Sequence, residues 1–320
     1  MPECHPADER KPVTVLMGVY NGADYLLEML DSLAGQDHRN WTLVASDDGS
    51  TDQSVKILTD FAASLPKEKV QLYTGPSSGF AANYLSMLAR LELGRTQWVA
   101  FADQDDVWLP GRLSQGLHAL DGMDAPALAA GPVWAVDADL AHPRMIGGWP
   151  RQGEFRNALV QNIVQGNAMT ANPAAARILI LGARRILGAC KIPVTHDWWA
   201  YQIITGAGGH VRKVETPTVL YRQHGHNMIG ANDTASAMLR RLRMDLAGTR
   251  RDWSELNSAA LSTCRPFLTP MARKALDHFD DMRQATDPLC KLAHLRRLRL
   301  FRQRRAGTVA LWLSAFVGRL

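Results

Sequence analysis

Apolar and polar positions along the first two-thirds of the chain switch repeatedly between a period of two and a helical period. PVTVLMGVY (12–20) is a β-branched apolar run ending at the turn dipeptide Asn21-Gly22, and it predicts a strand. Residues 24–34, DYLLEMLDSLA, place Leu26, Leu27, Leu30 and Leu33 at helical spacing. WTLVASD predicts a second strand, stopped by Asp48-Gly49-Ser50, and Thr51-Asp52 can cap a helix running through Phe61 and Leu65. KVQLYTG predicts a third strand, and Gly79 precedes a helical pattern at Phe80, Tyr84, Leu88 and Leu91. TQWVAFAD predicts a fourth, ending in Asp103-Gln104-Asp105-Asp106. Strand and helix in regular succession imply an α/β fold with a mainly parallel sheet and right-handed crossovers.

After about residue 125 the rhythm loosens. ALAAGPVWAVD and NIVQGNAMTAN read as strands, 173–187 as a helix, and VRKVETPTVLYR as one strand or two. From Thr234 the pattern is helical and Arg-rich, with Leu239, Leu242 and Leu246 on one face. No internal repeat interrupts this order.

Composition narrows the class. Apolar residues make up 46% of the 320 and charged residues 21%, a globular balance. The four cysteines (Cys4, Cys190, Cys264, Cys290) stand far apart without a Cys-x-x-Cys pair, which excludes a disulfide scaffold or zinc ribbon and suits a reducing compartment. The first residues, MPECHPADERKPVTV, carry no apolar run behind their charges, so a cytoplasmic protein without a signal peptide is expected. The net charge of +5 is unevenly placed. From Lys291 to Leu320 there are eight basic residues and no acid, leaving 28 basic against 31 acidic residues before them. A mildly acidic body with a basic end disfavours a nucleic-acid binder.

Ligands of open parallel sheets sit outside the carboxyl ends of the strands. Three polar clusters fall there: Tyr20-Asn21-Gly22, Ser46-Asp47-Asp48-Gly49-Ser50 and Asp103-Gln104-Asp105-Asp106. Each alone reads as an ordinary turn or cap. Three carboxylates within four residues repel one another unless a cation sits between them. Hard oxygen ligands suit Mg²⁺ or Mn²⁺ shared with phosphate oxygens. The alternative is a solvated acidic turn, although Trp108-Leu109-Pro110 buries its flank. The chain contains neither a phosphate-binding Gly-x-x-x-x-Gly-Lys-Ser/Thr loop nor Gly-x-Gly-x-x-Gly, so acids, a metal and loop groups must hold any nucleotide.

The ordered set VYNGADYLLEMLDSL, SDDGSTDQS, GFAANY, FADQDDVWLPGRL, HDWWAYQ and YRQHGHNMIGA resembles the family 2 glycosyltransferases of the GT-A fold, and within them the bacterial rhamnosyltransferase-like members. The resemblance spans roughly residues 12–232. It implies that Tyr20 and Asn21 line the nucleotide pocket and that Asp48 accepts a hydrogen bond from the pyrimidine ring. Asn83 would lie near nucleotide or sugar, and Asp103 against the ribose or donor sugar. Asp105 would be the principal metal ligand, Asp106 a supporting or sugar contact, and Asp197 the catalytic base. His224 would complete the metal or diphosphate site. The wider family often carries an acid before the base; here that position is His196.

Other features carry two readings each. Asp197-Trp198-Trp199 is either an ordinary helix start or a base beside an aromatic platform for a sugar ring. Gly166-Asn167 lies after a strand, where an acceptor can approach, and His210, His226 and His278 read as ordinary. The thirteen mostly apolar residues from Ala306 to Gly318 make a helix of only about 20 Å, too short for a hydrocarbon core of roughly 30 Å. With the basic run before them, and with Leu295, Leu298, Phe301 and Trp312, they read as a segment lying on an anionic membrane surface; the alternative is a partner-binding or homo-oligomer helix.

The sequence thus predicts a GT-A domain over 1–232 and a helical basic extension over 233–320, peripheral on the cytoplasmic face of the inner membrane. The expected reaction is inverting, metal-dependent transfer of a sugar from a nucleotide-sugar donor, with dTDP-L-rhamnose favoured by resemblance, to a lipid-linked or cell-surface saccharide acceptor. A nucleotide-sugar-binding subunit without turnover is the alternative. A metal-dependent phosphohydrolase also fits the Asp103–Asp106 acids but leaves the Asp48 cluster without a role.

Overall fold

The computed structural model describes residues 11–93, 97–224 and 249–316. Expectations resting on Leu239, Leu242, Leu246, His226, the 225–231 part of the last motif, the boundary at 232 and Arg319 lie outside them.

The four early strands form where the apolar runs predict them: β1 (Val13–Val19), β2 (Trp41–Asp47), β3 (Val70–Thr74) and β4 (Trp98–Asp103). They pair in parallel in the order β3-β2-β1-β4. Alternation sends Val13, Val15, Met17 and Val19 to one side of the sheet and Leu16 to the other, so both faces are covered. On the first side lie α1 (Leu26–Ala34) and α2 (Ser54–Ala63); on the other lies α3 (Phe80–Arg90). Within α1 the buried set is Leu26, Met29, Leu30 and Leu33, and Leu27 is exposed. Four apolar residues at 26, 27, 30 and 33 span more of the helix than the sheet covers, and Met29 takes the inward place expected of Leu27.

Beyond β4 the chain builds a second, smaller sheet before returning to the first. After β5 (Val107–Trp108) and α4 (Arg112–Ala119), the run 127–137 breaks at Gly131-Pro132 into β6 (Ala127–Ala130) and β7 (Val133–Val136), which belong to different sheets. A Cβ on Gly131 would meet the Val214 carbonyl at 2.4 Å, so a side chain there would obstruct the break. β8 (Arg144–Ile146) and α5 (Phe155–Ala158) follow. The expected strand over 162–172 is mostly loop and a short 3-10 turn; only β9 (Thr170–Ala171) pairs, antiparallel to β4 and β6. Asn172 then caps α6 (Pro173–Ala189), with Pro173 in the first turn, and Thr195 caps α7 (His196–Gly206). β10 (His210–Lys213) completes the larger sheet as β10-β6-β9-β4-β1-β2-β3, and β11 (Val219–Arg222) the smaller one as β5-β11-β7-β8.

The C-terminal part is helical, as expected: α8 (Thr249–Thr263), α9 (Pro270–Gln284), α10 (Pro288–Leu298) and α11 (Arg305–Phe316). It does not stand apart from the sheet domain. Leu261, Cys264, Leu276, Phe279, Leu295 and Leu311 share one apolar cluster with α3, α6 and α7. Leu295, Leu298 and Phe301 are buried in the protein, which corrects the expectation that they meet a membrane. The link is also polar: Asn157 donates to the Phe301 carbonyl at 3.0 Å, and Gln303 bonds Asn157, Gln161 and the Arg151 amide.

Candidate functional site

The parallel strands β1, β2 and β4 end together, and their following loops are stitched to one another. Asn21, in the left-handed region at φ 46°, donates its amide to Ser50 and accepts from the Thr51 amide at 2.8 Å through its side chain. Gln104 pairs with Tyr20 through both backbone groups, accepting from its N–H at 2.8 Å and donating to its carbonyl at 2.9 Å. Tyr20 itself is 59% exposed, an aromatic ring held at the strand end by its own backbone. Asn21 therefore shapes the loop through its hydrogen bonds, and both it and Tyr20 are exposed at the strand end.

Asp48 is nearly buried, and its carboxylate spans the loop after β3: Oδ1 accepts from the Ser77 amide at 2.7 Å and Oδ2 from Gly79 at 3.0 Å. Asn83 donates to the Ser46 carbonyl at 2.9 Å, while its Oδ1 is buried with no partner among the described residues. Gly75 permits this approach, because a Cβ there would lie 2.6 Å from Asp48 Oδ1 and 2.7 Å from Asn83 Oδ1. The loop after β3 is thus drawn onto β2, closing the far end of the rim.

The acids after β4 have different surroundings. Antiparallel pairing of Leu220 with Val107 and Val219 with Trp108 carries Arg222 and His224 back over Asp105 and Asp106. His224 Nε2 lies 2.7 Å from Asp105 Oδ2, and its ring stacks on Tyr25 at 5.0 Å. Arg222 is buried; it donates to the Asp105 carbonyl at 3.0 Å and to the Ala138 carbonyl, and it pairs with Glu28 of α1. Its guanidinium covers the Tyr25 ring at 4.4 Å. Asp106, expected as a supporting or a sugar contact, is fully buried and has the supporting place: Asn167 donates to Oδ2 at 2.6 Å and the Arg222 amide to Oδ1 at 3.2 Å. It therefore joins three loops internally and presents no surface to a substrate. Asn167 is held in turn by buried Arg112, which donates to the carbonyls of Asn167 and Met169 and to Thr170.

Asp103 closes β4 against the hydroxyl of Tyr84, 2.9 Å away. Burial, and then the neighbouring charges of Asp105 and Asp197, push its carboxyl up to about 7, against the opposing hydrogen bond from Tyr84. Burial, followed by Asp105 and Asp103, also pushes Asp106 well above the ordinary carboxylate range. Both shifts report negative charge crowded into a poorly hydrated site.

Asp197 opens α7. Its Oδ1 accepts from the Trp198 amide at 2.6 Å and its Oδ2 from Gly166 at 3.2 Å, which points the carboxylate across the 166–168 turn. His196 beside it is buried between Tyr84, 3.9 Å away, and Phe101, 5.3 Å away, with neither ring nitrogen bonded among the described residues. Burial holds its pKa down at about 4, against the opposing pull of Asp197. A Cβ on Gly166 would lie 2.9 Å from that ring, so glycine lets the turn reach Asp197. Trp199 is fully buried and cannot serve as a sugar platform; Trp198 donates to the Ala158 carbonyl at 2.7 Å and meets Trp253 edge-on.

The site's side chains suit a divalent cation of limited protein coordination. Among the described residues no three His, Cys, Asp or Glu side chains form a ready cage. Asp105 and His224 supply a carboxylate oxygen and an imidazole nitrogen already in contact. One or two protein ligands, completed by substrate phosphates and water, is how Mg²⁺-type ions are commonly held. The crowded acids are short of the positive charge such an ion would bring.

The sequence pattern indicated Asp103, Asp105, Asp197 and His224, which the fold brings to one side of the rim. The reading of Gly166-Asn167 as an approach for an acceptor is corrected for Asn167, which is buried and bonded to Asp106. Glu28, Tyr84, Gln104, Arg112 and Arg222 lie inside the matching motifs, which assign them no role because their partners are distant along the chain.

Comparison with known proteins bears on the family. The model of "Glycosyl transferase family 2" matches residues 14–175, half of the chain. The dTDP-rhamnosyl transferase RfbG of Shigella flexneri is 23% identical over 237 residues, 71% of this chain and 78% of that protein. A glycosyltransferase of Nostoc sp., alr2836, itself uncharacterized, is 27% identical over 226 residues, 67% of this chain and 66% of its own length. Among solved structures, S. aureus TarS 1–349 in complex with UDP-GlcNAc aligns at a TM-score of 0.49 and 13% identity, covering 79% of this chain and 71% of that one. With the family model spanning the sheet from β1 to the start of α6, the chain belongs to glycosyl transferase family 2.

Proposed function

We propose that the protein transfers a sugar from a nucleoside-diphosphate donor to a hydroxyl of a saccharide acceptor, with inversion at the anomeric carbon. One observation carries the reading: Asp105 with its partner His224, and Asp197 from a separate element, gather around Asp103 at the ends of the parallel strands. The acceptor oxygen attacks the anomeric carbon as the bond from that carbon to the diphosphate oxygen breaks. The acceptor's proton passes to Asp197, a carboxylate at the start of α7. Asp105 and His224 would hold a divalent cation, Mg²⁺ or Mn²⁺, which would act as a Lewis acid toward the leaving diphosphate. Tyr20 offers its exposed ring to the base, and Asp48 fixes the loop on the nucleotide side. Similarity to RfbG, whose name specifies dTDP-rhamnosyl transfer, favours dTDP-L-rhamnose as donor. The acceptor class is a lipid-linked or cell-surface polysaccharide.

The test is incubation of the full chain with a panel of nucleotide sugars and oligosaccharide acceptors, with Mn²⁺, Mg²⁺ or chelator, measuring nucleoside diphosphate release and extended acceptor. Cation-dependent product from dTDP-L-rhamnose is expected. Donor binding without turnover across the whole panel would instead mark a binding subunit.

A further inference from the structure

Helix α11 is apolar on two opposite faces. Leu311 and Ala315 enter the core, and Trp312 packs against it. At roughly 100° per residue, Arg305, Val309, Leu313 and Phe316 fall within an arc of about 80° on the outer side, with Ala306 and Ala310 beside them. Val309 is 60%, Leu313 62% and Phe316 48% exposed. A surface helix ordinarily turns charged and polar residues outward there. The charged residues of this segment are all basic: Arg304 and Arg305 are exposed at the helix start, as are Arg296, Arg297 and Arg299 around the end of α10, which packs against α11. No acid occurs anywhere from Lys291 to Leu320.

We propose that this outer face of α11 docks on an anionic lipid surface, with Val309, Leu313 and Phe316 entering the interface and the arginines meeting headgroup phosphates. An apolar stripe bordered only by positive charge is complementary to an anionic bilayer. A twelve-residue helix is too short to cross one, and no helix among the described residues is long and apolar enough to do so. This surface differs from the one expected from sequence, since Leu295, Leu298 and Phe301 are taken up by the core and the exposed members of α11 replace them. The proposal stands independently of the reaction assigned above.

The full chain is mixed with vesicles of phosphatidylcholine and phosphatidylglycerol, or of phosphatidylcholine alone, and sedimented. Binding to the anionic vesicles is expected, weakened by salt because screening shortens the reach of the arginines. The triple variant Val309→Ser, Leu313→Gln, Phe316→Ser changes only exposed positions, so its melting temperature should match the parent. Its vesicle partitioning should fall roughly a hundredfold, as three apolar side chains no longer leave water. Arg304→Ala with Arg305→Ala should weaken it roughly thirtyfold, about fivefold per arginine. Parent protein left in the supernatant with anionic vesicles overturns the proposal. So does equal binding by the triple variant, or a dimer in sedimentation velocity that the triple variant dissolves without any vesicle binding, which would give the face to a second copy of the chain.

Discussion

Two sets of acids stand at the ends of the parallel strands, and they are surrounded differently. After β2, Asp47 and Asp48 accept from the backbone amides of Gly49, Ser50, Ser77 and Gly79. After β4, Asp103 feels the charges of Asp105 and Asp197, and a tyrosine hydroxyl and a histidine are the side-chain partners of Asp103 and Asp105. Acids filled by amides shape a loop, because each bond they accept satisfies a donor that would otherwise be lost to burial. Acids set against acids hold repulsion that a cation or a substrate can relieve. The same residue type thus builds the frame on one side of the rim and, in the proposed reaction, supplies chemistry on the other. Asp106 shows the distinction at the shortest range: one residue beyond Asp105, it belongs to the frame.

The largest expected effects separate the two chemical acids. Asp105→Ala should abolish cation-stimulated turnover, a loss on the order of a thousandfold or more, since a bound Lewis acid contributes several kcal/mol; its melting temperature should stay near the parent's. Asp197→Asn should cut transfer by roughly a thousandfold, within the usual range for a general base, with donor affinity held within a few-fold. Turnover by Asp197→Asn at the parent rate would place the base elsewhere. Asp106→Ala tests the frame. Two buried donors, the Asn167 amide and the Arg222 N–H, lose their acceptor, at a cost of about 2–4 kcal/mol measured by denaturant unfolding.

As pH falls, His196 should weaken the fold, against an opposing gain from Asp103 and Asp106, whose raised carboxyls take up protons more readily in the folded chain. The folded pKa of His196, about 4, lies below the ordinary histidine value of 6.5, so the unfolded chain binds that proton more readily. The stability of the neutral buried ring is complete above pH 6.5 and is lost as pH falls toward 4, by roughly 3 kcal/mol in all. His196→Phe should flatten this part of the curve; an unchanged slope would assign the acid sensitivity to other groups. The smallest effect concerns Tyr20. Tyr20→Ala should change stability by less than about 0.5 kcal/mol, as for an exposed site, and weaken nucleotide binding by roughly two- to tenfold.

The first four strands and three helices were legible because each apolar run has one period and a turn dipeptide or cap at its end. Leu27 and Met29 were not distinguishable, since they lie on opposite edges of the apolar face and which edge is covered depends on how the sheet lies against it. The 127–137 run was read as one signal because its break depends on Gly131 facing Val214, far along the chain. Among the acids, position at a strand end was visible in the residues alone, while the different places of Asp105 and Asp106 came only from the resemblance, which left Asp106 between a supporting and a sugar contact. The difference arises from Arg222 and Asn167, which reach Asp106 from 116 and 61 residues away. The C-terminal helices were legible as helices, while their inner and outer faces were exchanged, because an apolar residue carries no mark of which surface will cover it.

The central claim is that Asp105 and His224 hold a divalent cation beneath the donor diphosphate. Calorimetric titration of the full chain with dTDP, with and without Mn²⁺, tests it without requiring turnover. The expected result is binding that needs the ion in the parent and loses that dependence in Asp105→Ala. Equal affinity in chelator and in Mn²⁺ for the parent protein would contradict it.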